Sequence, residues 1–189
     1  MKSRINDDRA FKSSSASRRD PIVAKSQFLS GQSGVIAQKK YRKGDVVFIV
    51  KGPVTTERTI YTFPLSLTQH IDPRDASGKP TLGHFLNHSC NPNTFVRIVN
   101  TEHQKYVEVV ARHNIAAGTE LTFDYALAEY EVAANKTVCK CGAVNCTGKI
   151  IGYKDLPAAH KEKYILEGLV ASYLLELDNQ TNIKSSPTR

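Results

Sequence analysis

No stretch of this 189-residue chain approaches the ~18 consecutive apolar residues that a membrane-crossing helix needs. The opening Met1-Lys2-Ser3-Arg4 is polar where a secretory leader would be greasy. These two absences predict an intracellular protein, nuclear or cytoplasmic, with no membrane partner. Cysteine is scarce, four residues in all. In a reducing compartment so few thiols argue against a disulfide framework and for free thiols or metal ligands. No internal repeat is present, and long helices do not alternate with strands, which argues against a parallel α/β sheet. With 40% hydrophobic and 23% charged residues, the chain suits one folded domain around one core.

A net charge of +8 suits an acidic partner, nucleic acid being the first guess from charge alone. Much of it lies at the start, where Lys2, Arg4, Arg9, Lys12, Arg18 and Arg19 face only Asp7, Asp8 and Asp20. Residues 1–20 also hold Ser13-Ser14-Ser15 and few large apolar side chains, so they read as a disordered basic tail, the part through which nucleic acid could be held. Residues 179–189 read as a second disordered tail.

Short β-branched or aromatic segments bounded by turn formers predict strands at Val35–Ala37, Val46–Val50, Phe95–Val99, Tyr106–Ala111 and Leu121–Tyr125. Lys43-Gly44-Asp45 and Ala117-Gly118-Thr119 supply turns. Leu65–Ile71 predicts a short turn or helix. A longer helix is expected over Ala158–Leu177, with Leu166, Leu169, Val170, Tyr173, Leu174 and Leu177 as its apolar stripe and Pro157 near its first turn. The fold class is therefore mostly β and antiparallel, with a C-terminal helix over 153–178 that docks on the domain.

Cys139, Cys141 and Cys146 form a CxCx4C loop, and the one other cysteine, Cys90, lies in Asn87-His88-Ser89-Cys90-Asn91-Pro92-Asn93. A closed structural zinc site needs four ligands, and these four thiolates complete it, with Lys140 and Lys149 near enough in sequence to offset its charge. A redox pair at Cys139/Cys141 and unrelated buried thiols remain as alternatives that do not employ every cysteine at once.

Three motifs in order, Asn87-His88-Ser89-Cys90 with Pro92-Asn93, Gly118-Thr119-Glu120-Leu121-Thr122-Phe123-Asp124-Tyr125, and CKCGAVNCTGK at 139–149, resemble the signatures of the SET-domain protein-lysine methyltransferases and their post-SET zinc loop. The resemblance runs from about Phe28 to Gly152. Gly34-Val35-Ile36-Ala37, Lys43-Gly44-Asp45 and Tyr61-Thr62-Phe63-Pro64-Leu65 resemble upstream parts of the same family. It implies a SET domain over 21–138 made of small antiparallel sheets with a pseudoknot, and a post-SET zinc loop over 139–152.

The resemblance further implies an enzyme that transfers the methyl of S-adenosylmethionine to a lysine side chain of a histone or other protein. Tyr125 would orient methyl and amine. Phe123, Tyr61, Ile60 and Phe63 would line the lysine channel, and phenylalanine rather than tyrosine at 123 implies room for di- or trimethylation. Gly34, Tyr61, Asn87, His88, Tyr125 and Ile150 would hold the cofactor, with Tyr153 as a second choice beside Ile150. Cys90, Cys139, Cys141 and Cys146 would hold Zn²⁺. Two positions depart from the family pattern: Gln32 stands where a glycine is usual, with Gly31 beside it, and His84 stands where an arginine precedes Phe85. They motivate one rival, a SET fold used as a binding module. The charge balance motivates another, a basic zinc protein that binds nucleic acid.

Overall fold

Runs such as Val46–Val50 and Val107–Ala111 carry branched side chains that fit a pleated, half-buried surface, and they form strands. The structure, a computed structural model, describes residues 20–133 and 137–185, with side chains described through 178. The basic arm expected over 1–20 falls outside it except for Asp20.

Among the described residues ten short strands occur: β1 Ile22–Lys25, β2 Ser33–Ile36, β3 Val46–Val50, β4 Val54–Thr55, β5 Phe63–Pro64, β6 His70–Ile71, β7 Asn87–His88, β8 Thr94–Asn100, β9 Lys105–Ala111 and β10 Glu120–Phe123. They form three small sheets, ordered β1-β2-β10-β7, β3-β9-β8 and β4-β6-β5. All pairings are antiparallel except β7 with β10, where Asn87 faces Thr122 and His88 faces Phe123. That one parallel pair brings the Asn-His turn against the strand that leads into Tyr125.

The expected turns at Gly44 and Gly118 both adopt positive φ, +89° and +84°, which glycine tolerates without a Cβ clash. Leu65–Ile71 is no helix; its residues turn between β5 and β6, with Leu65 and Ser66 donating to the carbonyl of Gln69. β10 stops at Phe123, short of the expected Tyr125, because the Asp124 side chain accepts from the N–H of Ala126 and caps a 3₁₀ turn over Tyr125–Leu127.

The single helix expected over Ala158–Leu177 is two: α1 Ala158–Leu166 and α2 Ser172–Ser185. Gly168, at φ +67°, ends the first. Gly168 donates to Ile165 and Leu169 to Tyr164, the paired bonds of a Schellman stop, with Tyr164 and Leu169 packed in one cluster. Leu166, placed on the expected stripe, is 81% exposed because the break turns it out. The backbone of α2 continues past 178 into the segment read as a tail.

One core, centred on Val35, Val107, Val109 and Leu121, lies among the sheets. Each such side chain contributes about 1.5–3 kcal/mol by burial. A second core packs Tyr153, Tyr164, Leu169 and Leu174 beneath Ala126 and Leu127. The turn carrying Tyr125 therefore rests on the C-terminal helices. Tyr164 donates to Asp124 Oδ2 at 3.1 Å, Ala171 N donates to Leu127 O at 3.0 Å, and the Tyr173 hydroxyl donates to Ala128 O.

Candidate active site

A cleft of about 640 Å³ opens between the β5 loop, the β7–β10 pair and the cysteine loop, within the usual size range of small-molecule sites. Ile60, Tyr61, Phe63, Asn87, His88, Phe123, Tyr125 and Ile150 all line it. These eight come from four separated stretches of sequence.

Tyr125 stands at its centre. Its ring lies 4.8 Å from Phe123 and 5.1 Å from His88, and Phe123 stacks on Phe63 at 5.6 Å. Its hydroxyl donates to the Leu86 carbonyl at 3.4 Å, beside the Asn-His turn. Burial, reinforced by the charge of Glu129, holds this phenol above its ordinary range, so it stays protonated and uncharged at neutral pH. A neutral hydroxyl that has committed its proton to a carbonyl offers lone pairs to the cleft, and so can orient an N–H group.

Asn87 is held by an acid that sequence reading passed over. Glu120 is fully buried in β10, and its carboxylate accepts from Ser26 Oγ at 3.0 Å, from Gln27 N and from Asn87 Nδ2 at 2.9 Å. The same Asn87 amide nitrogen donates to Ser33 O at 2.9 Å. Both amide protons are thereby occupied, which leaves the amide oxygen as the free acceptor. Gly34 does not line the cleft; a Cβ there would sit 2.3 Å from Glu120 Oε1 and 3.2 Å from Asn87 Nδ2, so its bareness makes room for this carboxylate. Gln32 and Ser33 form the cleft wall instead. The readable signal for Glu120 was slight: an acid at the head of an apolar strand, directly after the Gly118-Thr119 turn.

His88 joins two parts of the site. Its Nδ1 accepts from Tyr125 N at 3.4 Å, which assigns the proton to Nε2, 3.4 Å from Cys90 Sγ. Burial lowers its pKa to about 4, so it is neutral and makes no ion pair with Asp124 Oδ1 at 3.7 Å.

At the mouth, Tyr61 is 43% exposed and stacks face to face on His84, centroids 3.8 Å apart and planes 13° apart. Burial and the nearby Arg74 lower the His84 pKa, which favours the uncharged ring. The residue that departs from the family's arginine thus braces Tyr61.

The sulfurs of Cys90, Cys139, Cys141 and Cys146 all lie within 4.8 Å of one another, with Cys90 to Cys139 at 3.8 Å and Cys90 to Cys146 at 4.0 Å. Tetrahedral Zn²⁺ with Zn–S near 2.3 Å sets sulfurs about 3.8 Å apart, so the set fits that ion. Cys90 N donates to Cys141 Sγ and Gly148 N to Cys146 Sγ, as the outer bonds of a thiolate site would. Ile150 packs against this cluster while facing the cleft. Tyr153 does not share its place: it is wholly buried in the second core, because Gly152 lies so close on Tyr130 and Glu131 that the chain dives inward there.

Among curated proteins, the chain is 43% identical over 76 residues to human "Histone-lysine N-methyltransferase 2B", covering 40% of this chain and 3% of that protein. It is 32% identical over 143 residues to human "Histone-lysine N-methyltransferase, H3 lysine-36 specific", covering 75% of this chain and 5% of that one. The chain thus spans a small part of the relatives it matches. Among solved structures it resembles KRYPTONITE, crystallised with mCHG DNA and SAH, at TM-score 0.57 and 30% identity over 70% of this chain and 29% of that one. Residues 32–126, half of the chain, with all the strands but β1 and most of the cleft described above, match the SET-domain family model. With the Asn-His turn paired to the strand before Tyr125 and three ordered motifs in place, this chain belongs to the SET-domain family.

Proposed function

We propose that the chain is a protein-lysine N-methyltransferase that moves the methyl of S-adenosylmethionine to a lysine of a histone or another protein in the nucleus or cytoplasm. The observation that carries this reading is the shared cleft in which the Tyr125 hydroxyl meets the Leu86 carbonyl beside Asn87, walled by Phe63 and Phe123. The relatives' names as histone-lysine methyltransferases and the SAH of the structural neighbour support it.

S-adenosylmethionine supplies an activated methyl, so the protein needs to align groups rather than to generate a nucleophile. Asn87, with its amide oxygen free, Tyr61, His88 and Ile150 are the residues to hold the donor; Gly34 acts through the Glu120–Asn87 contact. Ile60, Tyr61, Phe63 and Phe123 form an apolar passage in which a lysine stem is desolvated. Desolvation disfavours its ammonium and so favours the amine. Cys90, Cys139, Cys141 and Cys146 hold Zn²⁺ as a structural clamp that keeps Ile150 on the cleft.

The test is transfer of labelled methyl to an array of lysine peptides, with products weighed by mass spectrometry. Donor binding in calorimetry without transfer to any peptide or lysate protein would establish the binding-module alternative instead. Because Phe123 has no hydroxyl to hold water against the amine, di- or trimethylated products are expected. Phe123→Tyr should shift them toward monomethyl with little change in KM; an unaltered product distribution would remove Phe123 from that role.

A further inference from the structure

A lysine arrives as an ammonium, with an ordinary pKa near 10.4, and must lose a proton before its nitrogen can attack. The cleft residues named so far do not accept it. Tyr125 remains a neutral phenol, His88 uses both ring nitrogens, on Tyr125 N and Cys90 Sγ, and Lys140 is itself a cation; His84, whose buried Nδ1 has no partner, is disfavoured as a cation by burial and by Arg74. Among the described residues, Glu129 is the one carboxylate lining the cleft.

Glu129 sits one turn beyond Tyr125, its N–H bonded to the Tyr125 carbonyl at 2.8 Å, and its charge acts on the Tyr125 phenol. One carboxylate oxygen accepts from Ala133 N at 3.2 Å. Behind it lies a second, smaller pocket of about 40 Å³, walled by Glu129, Thr62 and Pro64, which also line the main cleft, and by Arg58, His70 and Tyr173. That volume admits about three waters. An independent feature points to water there: His70 is 4% exposed, and its Nδ1 is buried with no partner. Leu67, which also lines this pocket, is 60% exposed, so the pocket reaches the surface.

We propose that Glu129 is the proton acceptor that discharges the target ammonium, and that the pocket behind it relays the proton to solvent. This rests on the methyl-transfer reading. In the step, the ammonium N–H bond breaks, its electron pair stays on nitrogen, and the proton binds Glu129. The amine lone pair then takes the methyl while the carbon–sulfur pair remains on sulfur, and Glu129 returns its proton to the pocket waters. A second or third methylation repeats the cycle from the methylated ammonium.

Burial raises Glu129 to about 7, against the bond from Ala133 and the charge of Arg58, which lower it. A group raised toward neutrality suits proton exchange. The titratable groups facing it are Arg58 and Tyr61 from the loop before β5, His70 from β6, Tyr173 from α2, and Tyr125, Tyr130 and Glu131 from its own stretch. Across the cleft stand His84, His88 and Lys140.

The experiment is the pH profile of kcat for the unaltered chain and for Glu129→Gln, using a lysine peptide that the chain methylates. The unaltered chain should lose rate as pH falls through about 7. Glu129→Gln should be slower by about 10²-fold at pH 7, should lose that limb, and should approach the unaltered rate as pH rises toward the lysine range, with donor affinity preserved. Equal rates and an equal profile would overturn the inference alone, whereas no transfer by the unaltered chain would overturn the methyl-transfer reading as well. Should Glu129→Gln fail to fold, the unaltered chain still decides: with a peptide carrying aminoethylcysteine, an amine of lower pKa, the limb should stay where it is. A limb that moves with the substrate amine would sink the proposal.

Discussion

Tyr125→Phe should slow methyl transfer by about 10²–10³-fold in kcat, about 3–4 kcal/mol of transition-state stabilisation. Donor affinity and thermal midpoint should stay nearly unchanged. The ring is what packs against Phe123 and His88, and phenylalanine retains it. What disappears is one hydroxyl, fixed at 3.4 Å from the Leu86 carbonyl and held neutral by burial. An interaction made chiefly while the methyl moves appears in kcat, and one made equally with the bound amine appears in KM. Single-turnover rates and donor titration by calorimetry separate the two. Full turnover in Tyr125→Phe would take the hydroxyl out of the chemistry.

Stripping metal from the protein, or replacing Cys141 by serine, should abolish donor binding while most of the β structure survives. The main core contains no cysteine, and its side chains pack without help from the sulfur cluster. The bonds of Val138 with Lys149, Cys139 N to Gly148 O and Ile150 N to Thr137 O lie within the loop over 137–150, and its polar ties to the Asn-His turn besides the sulfurs are Asn145 Nδ2 donating to Cys90 O at 3.0 Å and Thr147 Oγ1 beside Cys90 Sγ at 3.5 Å. Structural zinc in small sites contributes about 10–16 kcal/mol of binding free energy, far more than these bonds replace. Without it Ile150 leaves the cleft wall, and His88 loses the thiolate that its Nε2 faces while its Nδ1 holds Tyr125 N. Metal analysis should return about one zinc per chain, since the four ligands suit one tetrahedral ion. A chelated, metal-free protein with unaltered donor affinity and near-unaltered melting would refute the clamp.

How much of this was readable depended on the distance over which residues act. The cysteine set was readable because four thiols and four ligand places match, wherever the residues lie. Tyr125 and Asn87 were readable through motifs. The stop at Gly168 was available locally, a glycine inside an apolar stripe, yet periodicity carried the helix across it, and Leu166 was assigned to a buried face it does not occupy. Position 84 was recognised as a departure; that histidine and Tyr61 stack, 3.8 Å apart, could not be read from residues 23 positions apart in an irregular segment.

The amino-acid order alone determined which side chains were available and the local habits of the chain: branched runs that pleat, glycines that turn at positive φ, an aspartate that caps the turn at Tyr125, and thiols enough for one ion. Tertiary structure decided what each of those groups faces. Ser26 reaches Glu120 across 94 residues, Asn87 reaches it across 33, and Glu129 gains its raised pKa only through burial in the folded chain, against the lowering charge of Arg58. Hydrogen-bond direction and desolvation depend on neighbours in space, and those neighbours are fixed only when strands from distant parts of the chain pack into one core.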